Sequence, residues 1–361
     1  MFSPVKTISF AAATLSALLA VPPSATASTT APADSVVRPG DPRLRFMGHW
    51  GHTADAAITV NSGSELRFRF TGHRLTGLFD TSTITVPSQI YVSIDGGART
   101  LYKVDHDAID FTPAALPGER HTATIAVKDV DEYENRWILP LQSGVVLKGL
   151  RLGPRARVLP VPPPRGPRME FYGDSITEGV AALCNKLGVD CADGTVDYAN
   201  LTGRAFHANF NQVGFGKQGI IQPGHGNVGT AAQSFSWNFA GSPADPHFRP
   251  DAVVVNEGTN DSPYGSADFQ PGYLAYLRQI RSAYPHAWIF AMRPFGGTHA
   301  DDIAWAVRQL DDPRVVYVDT TSWLSAADGD FNGGHPNVQG HRKAADHLIP
   351  LIAATTGWRV R

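Results

Sequence analysis

Between residues 153 and 168 the chain reads GPRARVLPVPPPRGPR, with six prolines in that stretch. Proline fixes its own φ, removes a backbone donor and biases the preceding residue away from helix. The segment therefore reads as a semi-rigid extended spacer and predicts a domain boundary. A length of 361 residues is compatible with a folded domain on either side. The hydrophobic period changes across it, so the two sides belong to different fold classes.

Before the spacer the period is two. In Glu65-Leu66-Arg67-Phe68-Arg69-Phe70 the apolar residues share one face and the charges the other. Ile90, Val92 and Ile94 alternate with polar neighbours up to an Asp95-Gly96-Gly97 turn, and Thr122–Val127 and Val145–Leu152 add further runs. Short strands separated by turn signals predict an all-β jelly-roll sandwich over residues 36–152. After the spacer, β-branched runs such as Val253-Val254-Val255 and Val315–Val318 alternate with helical stripes such as Tyr273, Leu277, Ile280 and Tyr284. Repeated β–α units predict a doubly wound, flavodoxin-like parallel sheet over residues 169–361. Ligands of such sheets bind beyond the carboxyl ends of the strands.

The amino terminus reads as a secretory signal peptide over residues 1–27. Lys6 precedes an apolar run from Ile8 to Val21, Pro22 and Pro23 break it, and Ala25-Thr26-Ala27 offers an A-x-A cleavage site. The run is shorter than the ~20 residues of a spanning helix, and no later stretch is more apolar. An exported chain without a membrane partner is expected. In that setting the only two cysteines, Cys184 and Cys191, predict a disulfide that closes a short loop. The formal net charge of −2 gives no basic surplus for a phosphate backbone, which argues against a nucleic-acid partner.

Three loops at predicted strand ends carry candidate chemistry. In Gly173-Asp174-Ser175-Ile176-Thr177, glycine permits a sharp turn and Ser175 stands near a helix N-terminus, where backbone N–H groups favour negative charge. In Glu257-Gly258-Thr259-Asn260-Asp261, the Asn260 amide is a hydrogen-bond donor suited to an oxyanion, and Asp261 is suited to supporting the loop. In the stretch Asp328–Asn337, His335 has the side chain of a general base near neutrality. The same stretch places Asp328, Asp330, Asn332 and Gly333 as in a calcium loop, but Gln339 stands where the bidentate Glu belongs, so no metal is expected. His49, His52 and His73 show no metal-site spacing, and Trp237, Trp305 and Trp323 suit core packing better than sugar stacking.

Together Gly173-Asp174-Ser175, a glycine in the Val213–Ile220 stretch, Gly258-x-Asn260-Asp261 and His335-Pro336 resemble the four signature blocks of the SGNH (GDSL-type) hydrolases. With a β-sandwich in front, the chain is similar to the family-two carbohydrate esterases, of the acetyl xylan esterase type, which join a jelly roll to an SGNH domain. The resemblance implies Ser175 as nucleophile and His335 as its base. It implies an oxyanion hole from the Ser175 N–H, the Asn260 side chain and a glycine N–H, Gly216 before Gly219. It also implies an acetylated polysaccharide or oligosaccharide as substrate and no cofactor. A lipase, aryl esterase or thioesterase, and a non-catalytic carbohydrate-binding protein, are the alternatives. One position departs from the family: three residues before His335 stands Asn332 rather than Asp. Asn332, a nearby acid such as Asp330 or Asp328, or a backbone carbonyl are the candidates to orient His335.

Overall fold

A computed structural model describes residues 1–9, 11, 34–162 and 164–360. The A-x-A site and most of the apolar leader lie outside the described residues. Residues 33–361 form one compact unit, and no helix among the described residues is long and apolar enough to cross a membrane.

The first twelve strands are β1 (Asp34–Val37), β2 (Arg45–Met47), β3 (Gly51–His52), β4 (Ala57–Thr59), β5 (Glu65–Thr71), β6 (Leu75–Phe79), β7 (Gln89–Ile94), β8 (Thr100–Lys103), β9 (Ala108–Asp110), β10 (Arg120–Asp129), β11 (Val145–Pro154) and β12 (Val158–Leu159). They make two antiparallel sheets, one in the order β3-β4-β11-β6-β9 with β1 beside β11, the other β12-β5-β10-β7-β8 with β2 beside β5. The period-two pattern explains the sandwich. Leu66, Phe68 and Phe70 of β5 meet Leu147, Leu150 and Leu152 of β11 in a shared core, while Arg67 and Arg69 face away from it.

The proline-rich segment is not a free spacer. Strand β11 runs through to Pro154, and Val158–Leu159 pairs antiparallel with Phe70 and Arg69 of β5. Val158 is buried in the sandwich core, and the segment lies on a sheet edge, where a missing proline N–H costs least. The two halves also share apolar packing: Ile58, Val60 and Trp137 of the sandwich cluster with Phe215, Phe235 and Phe239 of the second half.

The second half contains β13 (Arg168–Gly173), α1 (Ser175–Glu178), α2 (Tyr198–Ala205), β14 (Asn209–Gly214), α3 (Ala231–Ser234), the small hairpin β15 (Trp237–Phe239) and β16 (Ser242–Pro243), and β17 (Ala252–Asn256). Then follow α4 (Ser266–Ala283), β18 (Trp288–Met292), α5 (Ala300–Leu310), β19 (Val315–Val318), the hairpin β20 (Phe331–Asn332) and β21 (His335–Pro336), and α6 (Val338–Thr356). The parallel sheet has the order β14-β13-β17-β18-β19, the flavodoxin-like 2-1-3-4-5 arrangement. Successive side chains of β17 go to opposite faces. Val253 and Val255 pack with Phe269, Leu277 and Ile303 of α4 and α5, and Val254 with Tyr198 and Leu348 of α2 and α6.

Candidate active site

Strand register brings the loops after β13, β14 and β17 to one edge, and the parallel β18 and β19 end on the same side. Gly173 of β13 lies beside Gly214 of β14 and Asn256 of β17, so the chain leaves all three strands at the same carboxyl end. At Gly173 a Cβ would stand 2.2 Å from Thr177 Oγ1 and 2.8 Å from the Asn256 carbonyl, so only glycine fits that turn. Asp174 caps α1, its Oδ1 accepting from Ile176 N at 2.8 Å. Helix α1 is a single turn, ended by Gly179 in the left-handed region (φ 85°). Ser175 opens that turn, and among the described residues its N–H meets no acceptor.

The Ser175 Oγ lies 2.9 Å from His335 Nε2, although the two residues are 160 positions apart in the chain. Burial holds the His335 imidazole below its ordinary pKa, which favours the neutral form a base requires. None of the three side-chain candidates for the orienting group bonds to the ring. Asn332 pairs with His335 across the β20–β21 hairpin, but its Nδ2 donates to the carbonyls of Ala181 (2.7 Å) and Ala182 (3.4 Å). Asp330 accepts from Ser325 N at 2.9 Å and from Lys343 Nζ at 2.8 Å, and Asp328 also faces Lys343. Both side chains hold the loop in place, and the Lys343 ammonium already serves the two carboxylates of the apparent calcium motif. Among the described residues no group bonds to His335 Nδ1, so the site is a Ser–His pair.

Asn260 sits in the short turn Thr259–Asp261 after β17. Its Nδ2 donates one hydrogen to the Gln218 carbonyl at 2.8 Å, which fixes the amide and leaves its second N–H for an oxyanion. Asp261 points the other way. Its carboxylate accepts from the N–H groups of Ile220, Ile221 and Gln222 at 2.8, 2.9 and 3.0 Å, clamping the loop after β14 against the loop after β17.

The glycine assignments do not hold in this geometry. The Gly216 N–H donates to Glu178 Oε2 at 2.7 Å, and the Gly219 N–H to the Gln222 carbonyl at 2.9 Å. Residues 215–218 close a turn, Gln218 N to the Phe215 carbonyl, with Lys217 at φ 67°. Within 215–220, Lys217 has the one N–H without an acceptor among the described residues.

Sequence reasoning missed what lies beneath this turn. Arg136, from the sandwich loop, is fully buried and forks onto Glu178 of α1 through Nη1–Oε1 and Nη2–Oε2, the latter 3.1 Å. Glu178 in turn holds Gly216, so a sandwich arginine braces both α1, which carries Ser175, and the 215–218 turn. Glu132 of the same sandwich loop pairs with His225 at 3.2 Å. Glu178 lies three residues past Ser175, but no sequence signal joins it to an arginine 42 positions earlier. Under Ser175, burial drives the Asp174 carboxyl up to about 7, despite the Ile176 N–H that it accepts. His341, stacked on Tyr198, is pushed down to about 3 by burial and then by neighbouring His335.

The remaining sequence candidates are structural. His49 is buried with Nε2 3.2 Å from Glu170, His52 packs on Phe46, and His73 bonds the Leu116 carbonyl. Trp305 packs on the core of the second half and Trp323 stacks on His347, while Trp237 is partly exposed. Cys184 and Cys191 are joined in a disulfide with Cα atoms 5.1 Å apart. Their loop docks on the sandwich through Lys128 Nζ, which donates to the carbonyls of Val189 and Ala192.

Residues 171–343 match the model of the GDSL-like lipase/acylhydrolase family. The chain is similar to the cellulase/esterase CelE of Acetivibrio thermocellus, 26% identical over 226 residues. That match covers 56% of this chain but only 27% of the longer relative. The fold is shared with a family two carbohydrate esterase from Cellvibrio japonicus, at TM-score 0.77 and 23% identity, covering 90% of this chain and 99% of that one. It is shared too with an acetyl xylan esterase from the rumen bacterium Butyrivibrio proteoclasticus, at TM-score 0.72 and 16% identity, covering 91% and 100%. Residues 171–343 are thus similar to the GDSL-like lipase/acylhydrolase family, in a chain that shares the two-part fold of the family-two carbohydrate esterases.

Proposed function

We propose that this protein is an exported serine esterase that removes O-acetyl groups from a carbohydrate. The observation that carries the reading is the 2.9 Å contact between Ser175 Oγ and His335 Nε2, at the strand end where Asn260 also projects. His335 takes the Ser175 proton as Oγ attacks the acetyl carbonyl. The resulting oxyanion is held by the Ser175 N–H and the free Asn260 N–H. Collapse returns the proton from His335 to the departing sugar oxygen and leaves an acetyl group on Ser175. Water, deprotonated by His335, then attacks that ester, and His335 returns the proton to Ser175 Oγ as the acetyl group leaves as acetic acid, ionised to acetate in water. The relatives named carbohydrate esterase, acetyl xylan esterase and cellulase/esterase support a carbohydrate substrate. The leader and the disulfide support export.

The test compares acetate release from acetylated xylan with turnover of p-nitrophenyl esters of increasing acyl length. Deacetylation of the polymer, and a preference for the acetyl ester that falls with each added carbon, is the expected result. A preference for long acyl chains with no release from the polymer would replace this reading with that of a lipase.

A further inference from the structure

One cleft of the protein lies away from Ser175. It has a volume of about 730 Å³ and lies between the outer face of one sandwich sheet, the proline-rich segment and the start of β14. Asn209 and Phe210, at the amino end of β14, line it, whereas Gly214 at the other end flanks the active site. Five residue steps along a strand separate them by roughly 16 Å. The cleft is a separate site.

Its charge is one-sided. Arg45, Arg67, Arg69, Arg165 and Arg204 line it, and the one acid is Glu65, already paired with Arg204 at 2.8 Å. Among the described residues none of Arg45, Arg67, Arg69 and Arg165 has an ion pair, and the buried Nε of Arg45 has no partner. This concentration occurs in a chain of net charge −2. Register sharpens the anomaly: Arg45 of β2 stands directly opposite Arg67 of β5, with Arg69 two positions along the same face. Like charges directly opposed across a sheet destabilise it. Glu65, the one acid in the lining, is taken by Arg204, and an anionic ligand would relieve the repulsion that remains.

We infer that this cleft binds the carboxylate groups of a uronate-bearing polysaccharide, as a tethering site apart from the active site. The inference deepens the proposed function and rests on its carbohydrate reading. Guanidinium groups bind carboxylates bidentately, which suits them to a planar anion better than ammonium groups. Neighbouring arginines are spaced ~5 Å across the sheet and ~7 Å along it, which suits a polymer carrying acids at intervals. Met47, Val161 and Pro162 supply apolar wall for the C–H faces of sugar rings. Tethering acidic regions of a polymer raises the local concentration of acetyl groups at Ser175 without touching the chemistry.

The test is calorimetric titration of the full chain with oligogalacturonate and with neutral xylohexaose, in low and high salt. Oligogalacturonate is expected to bind, more weakly in high salt, and xylohexaose to bind at least tenfold more weakly. Arg67→Glu/Arg69→Glu should weaken oligogalacturonate binding on the order of tenfold or more. It should also raise KM on acetylated glucuronoxylan and leave p-nitrophenyl acetate turnover unchanged. Arg67→Gln/Arg69→Gln, which adds no charge, serves if the glutamate variant does not fold. Equal binding of the two oligosaccharides, or unchanged binding by a folded variant, would overturn the inference. Equally tight binding of inorganic polyphosphate would overturn the uronate assignment. Failure of the esterase reading shows separately, as absence of p-nitrophenyl acetate turnover by the wild type.

Discussion

Arg136→Met tests the link between the sandwich and the active site. Arg136 and Glu178 are both fully buried and fork onto each other; Glu132 and Asp129 also lie near Arg136, but Arg136 is the cation that acts on Glu178. Methionine keeps much of the arginine volume but leaves the Glu178 carboxylate with the Gly216 N–H as its partner. An uncompensated buried charge costs about 3–5 kcal/mol. The cost depends on pH. Burial raises the Glu178 carboxyl above its ordinary 4.5 while Arg136 pulls it down. Removing the arginine lifts it further. A carboxyl with a raised folded pKa keeps its stability below its unfolded value and loses it as pH rises through the folded one. The deficit of the variant should therefore grow as pH rises above 4.5 and shrink toward it. Arg136→Met/Glu178→Leu removes both charges and should recover most of the loss at neutral pH. Urea unfolding followed by tryptophan fluorescence reads this directly, because Trp137 packs beside Arg136 on Phe215. A single-variant cost under about 1 kcal/mol, unchanged across pH, would refute the reasoning and mean that water reaches the pair.

Three further predictions concern the site. Asn260→Ala should lower kcat on the order of 10²–10³-fold by removing an oxyanion donor, and a kcat within about threefold of wild type would exclude that role. Burial lowers the His335 pKa, so the acid limb of kcat/KM should inflect below the ordinary 6.5; an inflection above it would place the ring beside an anion that the structure does not contain among its described residues. Asn332→Asp, which puts the family's residue at this position, should not raise kcat. It should cost about 1–3 kcal/mol in thermal unfolding, because a carboxylate would face the Ala181 and Ala182 carbonyls. A stable variant with higher kcat would show that the aspartate reaches His335.

Much of this was legible in local pattern. Period-two alternation in Glu65–Phe70 and β-branched runs such as Val253–Val255 record which face of each strand is buried, and burial decides strand class. The Ser175–His335 contact and the place of Asn260 at the same edge of the sheet were legible because each follows a predicted strand, and a parallel sheet gathers those ends. What was not legible depends on contacts between distant segments. Gly216 is adjacent to the right loop, but whether its N–H faces the site depends on Glu178, and the place of Glu178 depends on Arg136 in the other half. The prolines of 153–168 correctly forbid helix and yet do not forbid an edge strand, so composition alone overstated the separation of the two halves. Asn332 fits the motif spacing, but its amide is taken up by the Ala181 and Ala182 carbonyls rather than by His335.

The most direct test of the account is acetate release from p-nitrophenyl acetate and from acetylated xylan by wild type and by Ser175→Ala. The account predicts turnover of both substrates by the wild type and its collapse in the variant, with thermal stability retained. Equal turnover by the two proteins, or none by either, would remove Ser175 as the nucleophile and contradict it.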